Sequence, residues 1–192
     1  MNFSKIILIS DTHMRLGENV QKAICGDYSD DQIYERQFFT KDEGIVNDFL
    51  SQKDNLDHQK PNLIIHGGDV GYQEIIDILE SIAPVKVVNG NCDFQSFRTI
   101  EGKSKDYEYF DFEGIKISLA HSPYDLDFGD DDREVNMHVH GHTHESYITQ
   151  IGENEIKICP GSATMGRYGT PNSIACVYIA NKKLISAELI KV

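Results

Sequence analysis

Two short apolar runs, at residues 62–66 and 85–89, bracket a stretch in which Ile75, Ile76, Leu79 and Ile82 recur at helical spacing. Strand, helix and strand in that order predict a parallel pair with the helix, over 73–82, as its crossover. A third run at 5–10 extends the same sheet. Parallel strands bring their carboxyl ends to one edge, where loops collect and ligands bind. Each of the three runs leads into polar residues beside glycine or at a turn: Asp11-Thr12-His13, Gly67-Gly68-Asp69 and Gly90-Asn91-Cys92-Asp93. If the backbone stays extended, strand alternation puts Asp11 and His13 on one side.

The second half reads as mostly β, with strands expected at 107–112, 115–120, 135–140, 147–151, 155–159, 174–179 and 183–191. Glu113-Gly114, the 152–154 stretch and the 180–182 stretch are expected hairpin turns. A sheet-on-sheet core with helices outside accommodates both halves, giving an α/β (α+β) class. At 192 residues the chain is expected to be a single domain, 1–192. The connection 14–61 is longer than a crossover helix needs, so a helical insertion is expected around 14–60. Thr40 and Glu43 have capping-box spacing ahead of a helix at 41–52, and 30–39 is a second candidate helix. The insertion has two readings, a cap over the strand-end rim or a contact in a homo-oligomer.

Eighteen basic against 31 acidic residues give a formal charge of −13, which disfavours a bare phosphate backbone or an anionic membrane as partner. The apolar run at 6–9 is too short for a signal peptide or a span, so a cytoplasmic location is expected. Cys25, Cys92, Cys159 and Cys176 form no C-x-x-C pair, which argues against a zinc knuckle and for a reducing compartment. Cys25, Cys159 and Cys176 read as small buried residues. The acidic stretch 125–133 reads as a solvated loop.

Downstream, Ala120-His121 and Gly141-His142-Thr143-His144 also follow expected strands. Asp11, His13, Asp69, Asn91, His121, His142 and His144 together offer oxygen and imidazole nitrogen without a required thiolate. That donor set suits two borderline divalent ions, Mn²⁺, Fe²⁺, Ni²⁺ or Zn²⁺, better than Mg²⁺ alone. Any one of these histidines would be read as a core or surface residue. Charged groups at several buried strand ends, however, are costly unless paired or metal-bound. His66, His138 and His140 stay in the structural class, and His58 reads as solvent-facing.

This ordered set, D-x-H, G-D, G-N-C-D, a lone His and G-H-T-H, resembles the calcineurin-like metallophosphoesterase superfamily. Compact length and Cys92 look most like its YfcE-type phosphodiesterase branch. The resemblance implies a four-layer α/β/β/α sandwich of two mixed sheets flanked by helices, with two metals at one rim and Mn²⁺ the first expectation. It implies one ion on Asp11, His13, Asp69 and His144, with Asp69 bridging to a second on Asn91, His121 and His142. The implied activity is hydrolysis of small phosphoesters, diesters above monoesters, with Asp69, Asn91, Cys92, Asp93 and His121 at the reacting centre. Cys92 stands where many members carry a histidine, and Asp93 is expected to orient its neighbours. The 160–162 loop resembles a segment near the active rim, and Arg167 is a candidate phosphate contact. Alternatives are a phosphomonoesterase, a nucleotide pyrophosphatase, or a non-catalytic protein-binding scaffold like the retromer subunit of this fold.

Overall fold

The computed structural model describes residues 1–126 and 134–192; most of the acidic stretch 125–133 therefore lies outside the described residues. In chain order the elements are β1 Ser4–Ile9, α1 Glu18–Ile24, β2 Ile33–Phe38, α2 Glu43–Asp57, β3 Leu63–His66, α3 Gln73–Ile82, β4 Val85–Val87, β5 Arg98–Thr99, β6 Gly102–Lys103, β7 Tyr107–Phe112, β8 Ile115–Ala120, β9 Met137–Val139, β10 Tyr147–Gly152, β11 Glu155–Cys159, β12 Ser173–Ala180 and β13 Lys183–Lys191. Two mixed sheets form, ordered β2-β13-β12-β1-β3-β4 and β10-β11-β9-β8-β7, with β5-β6 as a small hairpin. None of the helices among the described residues is long and apolar enough to cross a membrane.

The six-stranded sheet has two apolar faces because its central strands are apolar over most of their length, at 6–9 in β1 and 174–180 in β12; all of β1 and β12 is buried. One face, carrying Ile7, Ile9, Ile64, Cys176 and Tyr178, joins Val20, Phe49, Ile76 and Leu79 from the three helices. The other, with Ile6, Leu8, Ile65 and Val177, meets Ile117, Leu119, Met137 and Ile158 of the five-stranded sheet. The expected α/β sandwich of two mixed sheets flanked by helices is what these residues build. Among the described residues, all three α-helices lie on the six-stranded side. Among the described residues the outer face of the second sheet carries Lys116, His138 and Lys157, polar enough to face water.

The 14–61 connection departs from expectation. Residues 30–39 do not form a helix: a short 3₁₀ turn leads into β2, which pairs antiparallel with β13 at the sheet edge. Ile33, Tyr34, Phe38 and Phe39 favour a pleated surface, and the open edge of β13 supplies the hydrogen bonds a helix would otherwise provide. The α2 cap is Asp42 rather than Thr40: its carboxylate accepts the amides of Gly44 and Ile45 at 2.9 and 3.2 Å. Cys25 also differs, being exposed where it ends α1, whereas Cys159 and Cys176 are buried; all four cysteines are free.

Candidate metal centre

β1 runs parallel to β3 and β3 to β4, so Asp11, Asp69 and Asn91 leave the six-stranded sheet at one edge. β8 runs parallel to β9, bringing His121 and the 141–144 loop to the matching edge of the second sheet. The two edges are stitched together: the His142 amide donates to Asp11 Oδ2 at 3.1 Å, and His121 Nδ1 lies 2.7 Å from the Gly67 carbonyl.

The side chains converge in two groups. In the first, His144 Nε2 lies 3.1 Å from Asp11 Oδ1 and 3.1 Å from His13 Nε2. In the second, Asn91 Oδ1 lies 3.0 Å from His121 Nε2 and 2.8 Å from His142 Nδ1, and the two ring nitrogens are 3.3 Å apart. Asp69 stands between them, its Oδ2 3.9 Å from His13 Nε2 and 3.5 Å from His121 Nε2. All seven motif residues thus meet, although His142 and His144, adjacent in sequence but for Thr143, serve opposite groups.

The convergence does not come from extended strands. Asp11, His13, Asp69, His142 and His144 have φ of +53, +43, +54, +67 and +59°, a left-handed conformation that side chains other than glycine adopt at a cost. Interleaved hydrogen bonds hold it: the Asp11 amide donates to the Gly68 carbonyl at 3.0 Å and the His13 amide to the Asp69 carbonyl at 2.9 Å. Gly90 must be glycine, since a Cβ there would come within 2.1 Å of Asp69 Oδ1 and 2.2 Å of its backbone nitrogen.

The neighbours fix which ring nitrogens face inward. His121 Nδ1 lies 2.7 Å from the Gly67 carbonyl and His144 Nδ1 2.8 Å from the Met165 carbonyl. A carbonyl only accepts, so both Nδ1 atoms carry hydrogen and it is Nε2 of each ring that faces the cluster, with a lone pair there whenever that nitrogen carries no proton. Those lone pairs face carboxylate and amide oxygens, and the fully buried Asp11 Oδ1 has no hydrogen-bond partner among the described residues. Such a constellation is balanced only by positive charge between its members, from protons or from cations. Burial pushes the Asp11 carboxyl up, but His144, Ser10 and the charge of His121 outweigh it and hold it below the ordinary carboxylate value. Asp11 in turn raises His144.

Surrounding groups hold the cluster. Ser10 Oγ donates to Asp11 Oδ2 at 2.6 Å, and Ser162 and Thr164 hydroxyls both donate to the Asp11 carbonyl, at 2.8 and 3.1 Å. Asp93 does not enter the cluster; its carboxylate accepts the amides of Val70, Gly71 and Gly90 at 3.2, 2.8 and 2.8 Å and so ties the Asp69 turn to the Asn91 turn. Cys92 is exposed, its amide donating to Asp69 Oδ1 at 2.7 Å, and its sulfur lies with His13 and Asp69 ligand atoms within 4.8 Å. Desolvation and then the Asp69 carboxylate raise the thiol above its ordinary value. His66 and His140 stay outside: burial lowers both to about 4, leaving neutral rings bonded to Thr12 and Tyr147 respectively. Ser10 and Thr164 were not legible as site residues, since a hydroxyl next to a ligand carries no sequence signal of its own.

Two facing mixed sheets whose carboxyl edges gather carboxylates and imidazoles define a sandwich with a candidate metal centre at its rim. The chain belongs to the calcineurin-like phosphoesterase superfamily, whose domain model matches residues 5–182. It is 29% identical over 136 residues to a probable metallophosphoesterase of Methanothermobacter thermautotrophicus, covering 67% of this chain and 75% of that one. In fold it is similar to the Escherichia coli phosphoesterase YfcE (TM-score 0.52, 21% identity, 94% of this chain and 96% of that one). It is similar as well to Vps29 of Entamoeba histolytica solved with Zn²⁺ (TM-score 0.57, 18% identity, 96% and 91%).

Proposed function

We propose that this chain is a phosphodiesterase of small phosphoesters, with one divalent ion held by Asp11, His13, Asp69 and His144 and a second by Asp69, Asn91, His121 and His142. The observation that carries the reading is the convergence of ligand atoms from two sheets in two groups, with buried Asp11 Oδ1 3.1 Å from His144 Nε2 in the first and Asp69 between them. The mixed nitrogen and oxygen donors suit Mn²⁺, Ni²⁺, Fe²⁺ or Zn²⁺, and the family resemblance puts Mn²⁺ first among them. Bound there, such ions supply an activated water and positive charge for the phosphoryl oxygens.

The chain's own residues do the positioning. Ser10 and the His142 amide fix Asp11, the Cys92 amide fixes Asp69, and Asp93 locks the turns that carry Asp69 and Asn91. Arg167, exposed and with its amide donating to the His144 carbonyl at 3.2 Å, offers its guanidinium to the phosphate. Cys92 presents a neutral thiol where an imidazolium would donate a proton to the leaving oxygen, so esters with poor leaving groups turn over slowly. Cys92→His is expected to raise kcat/KM for alkyl esters about tenfold relative to p-nitrophenyl esters; an unchanged ratio would refute this role.

The reading is tested by hydrolysis of bis-p-nitrophenyl phosphate beside p-nitrophenyl phosphate after chelation and re-addition of Mn²⁺, Ni²⁺, Zn²⁺ or Mg²⁺ singly, with metal content measured on the same sample. Diester turnover that returns with about two ions per chain is the expected result. Two bound ions without turnover of either ester would instead favour the protein-binding scaffold, the reading to which the Vps29 likeness lends weight.

A further inference from the structure

An apolar groove of about 370 Å³ opens beside the metal centre, lined by Met14, Leu16, Tyr72, Glu74, Ile75 and Ile78. Five of these six side chains are apolar, yet Met14, Tyr72 and Ile78 are 48, 53 and 38% exposed. We propose that this groove receives an uncharged, ring-sized apolar ester group of the phosphoester substrate; the proposal rests on the phosphoesterase reading and names its substrate class.

Continuity with the centre is the first argument. Met14 follows His13 directly, and the amides of His13 and Met14 donate to the carbonyls of Asp69 and Val70, both at 2.9 Å. The groove therefore begins one residue after His13 and three after Asp69, with the two turns bonded to each other. Its wall is also built rather than incidental. Met14 has φ +69°, a costly conformation for a long side chain, and lies across Gly71, where a Cβ would come within 2.5 Å of Met14 Cγ and 2.7 Å of its nitrogen. The Gly71 amide is held in turn by Asp93 Oδ1 at 2.8 Å, the same carboxylate that ties down the Asp69 and Asn91 turns.

Chemistry and size select the occupant. Glu74, the one charged lining residue, repels a second anionic group, so a further phosphate is disfavoured and an uncharged moiety fits. The volume sits at the lower end of the roughly 300–1,000 Å³ range of small-molecule sites, room for one ring or a short branched chain. Six residues fall far short of the about 800 Å² per partner that a stable protein interface buries, which argues against a second copy or a protein partner.

Diphenylphosphinate and dimethylphosphinate carry the same charge and no hydrolysable ester, so they separate the subsite from catalysis. Titrated calorimetrically into metal-loaded protein, diphenylphosphinate is expected to bind at least about tenfold more tightly. Ile78→Asp places a charge on an exposed helix position, and Tyr72→Ser puts a good capping residue at the start of α3, so neither threatens the fold. Each is expected to weaken diphenylphosphinate about tenfold and to leave dimethylphosphinate within twofold. Equal affinities for the two ligands in wild type, equal losses for both in the variants, or binding of neither would overturn the subsite. Selective binding without hydrolysis of any ester would sustain the subsite while overturning the phosphodiesterase reading.

Discussion

Asp69→Asn is expected to lower kcat/KM for bis-p-nitrophenyl phosphate by at least about 1,000-fold, a loss of roughly 4 kcal/mol of transition-state stabilisation, while the chain still folds. The asparagine oxygen can keep the bond from the Cys92 amide, now 2.7 Å from Asp69 Oδ1, so the turn survives. What disappears is the negative charge of Oδ2, which stands 3.9 Å from His13 Nε2 and 3.5 Å from His121 Nε2. Asp11 also comes within 4.8 Å of His121, but its oxygens are already engaged by His144, Ser10 and the His142 amide. Metal content should fall from about two ions per chain to one or none, with a melting curve like that of the wild-type apoprotein. Activity within tenfold of wild type at full metal content would refute a bridging role.

The second large effect concerns stability and lies away from the rim. Lys53 on α2 donates to Asp57 Oδ2 at 2.5 Å and pairs with Glu188 Oε2 at 3.1 Å; Glu188 Oε1 accepts Arg36 Nε at 2.6 Å, and the Tyr178 hydroxyl donates to Asp57. Lys5 Nζ closes the cluster on the carbonyls of Asp57 and Gln59 at 2.6 and 2.9 Å. Glu188 is fully buried, and burial raises its carboxyl above the ordinary value even though Lys53 and Arg36 pull it down. Lys53→Met leaves two buried carboxylates short of a cation, so a destabilisation of about 3–5 kcal/mol is expected. For a chain of this size that corresponds to a fall in Tm of about 10 °C, read by thermal denaturation. Adding Glu188→Gln should recover part of the loss, because it removes one of the stranded charges. A shift under about 2 °C would show that the cluster contributes little.

Periodicity carried much of the fold into the sequence. The helix expected at 73–82 is α3, and the β7, β8, β11 and β13 ranges are those expected, because apolar alternation and hairpin turns are local properties. The failure at 30–39 came from a partner distant in sequence: whether Ile33–Phe38 becomes helix or strand depends on the open edge of β13, about 150 residues away. The hairpin of β5 and β6 went unforeseen for a similar reason, being two residues a side and too short for any periodicity. The apolar groove was equally hidden, since Met14, Tyr72 and Ile78 read singly as ordinary core or surface residues.

From its residues alone the chain determined the strand ends, the donor types at each of them and the order in which they occur, because glycine-flanked carboxylates and imidazoles after apolar runs are written in consecutive letters. Only the tertiary structure decided how they meet. Parallel pairing of β1, β3 and β4 and of β8 and β9 set the two carboxyl edges side by side, and left-handed turns at Asp11, His13, Asp69, His142 and His144 aimed the side chains, where extended strands had been expected to do so. Those turns are strained, and hydrogen bonds from segments distant in sequence hold them, so that part of the site exists only once the two sheets have come together.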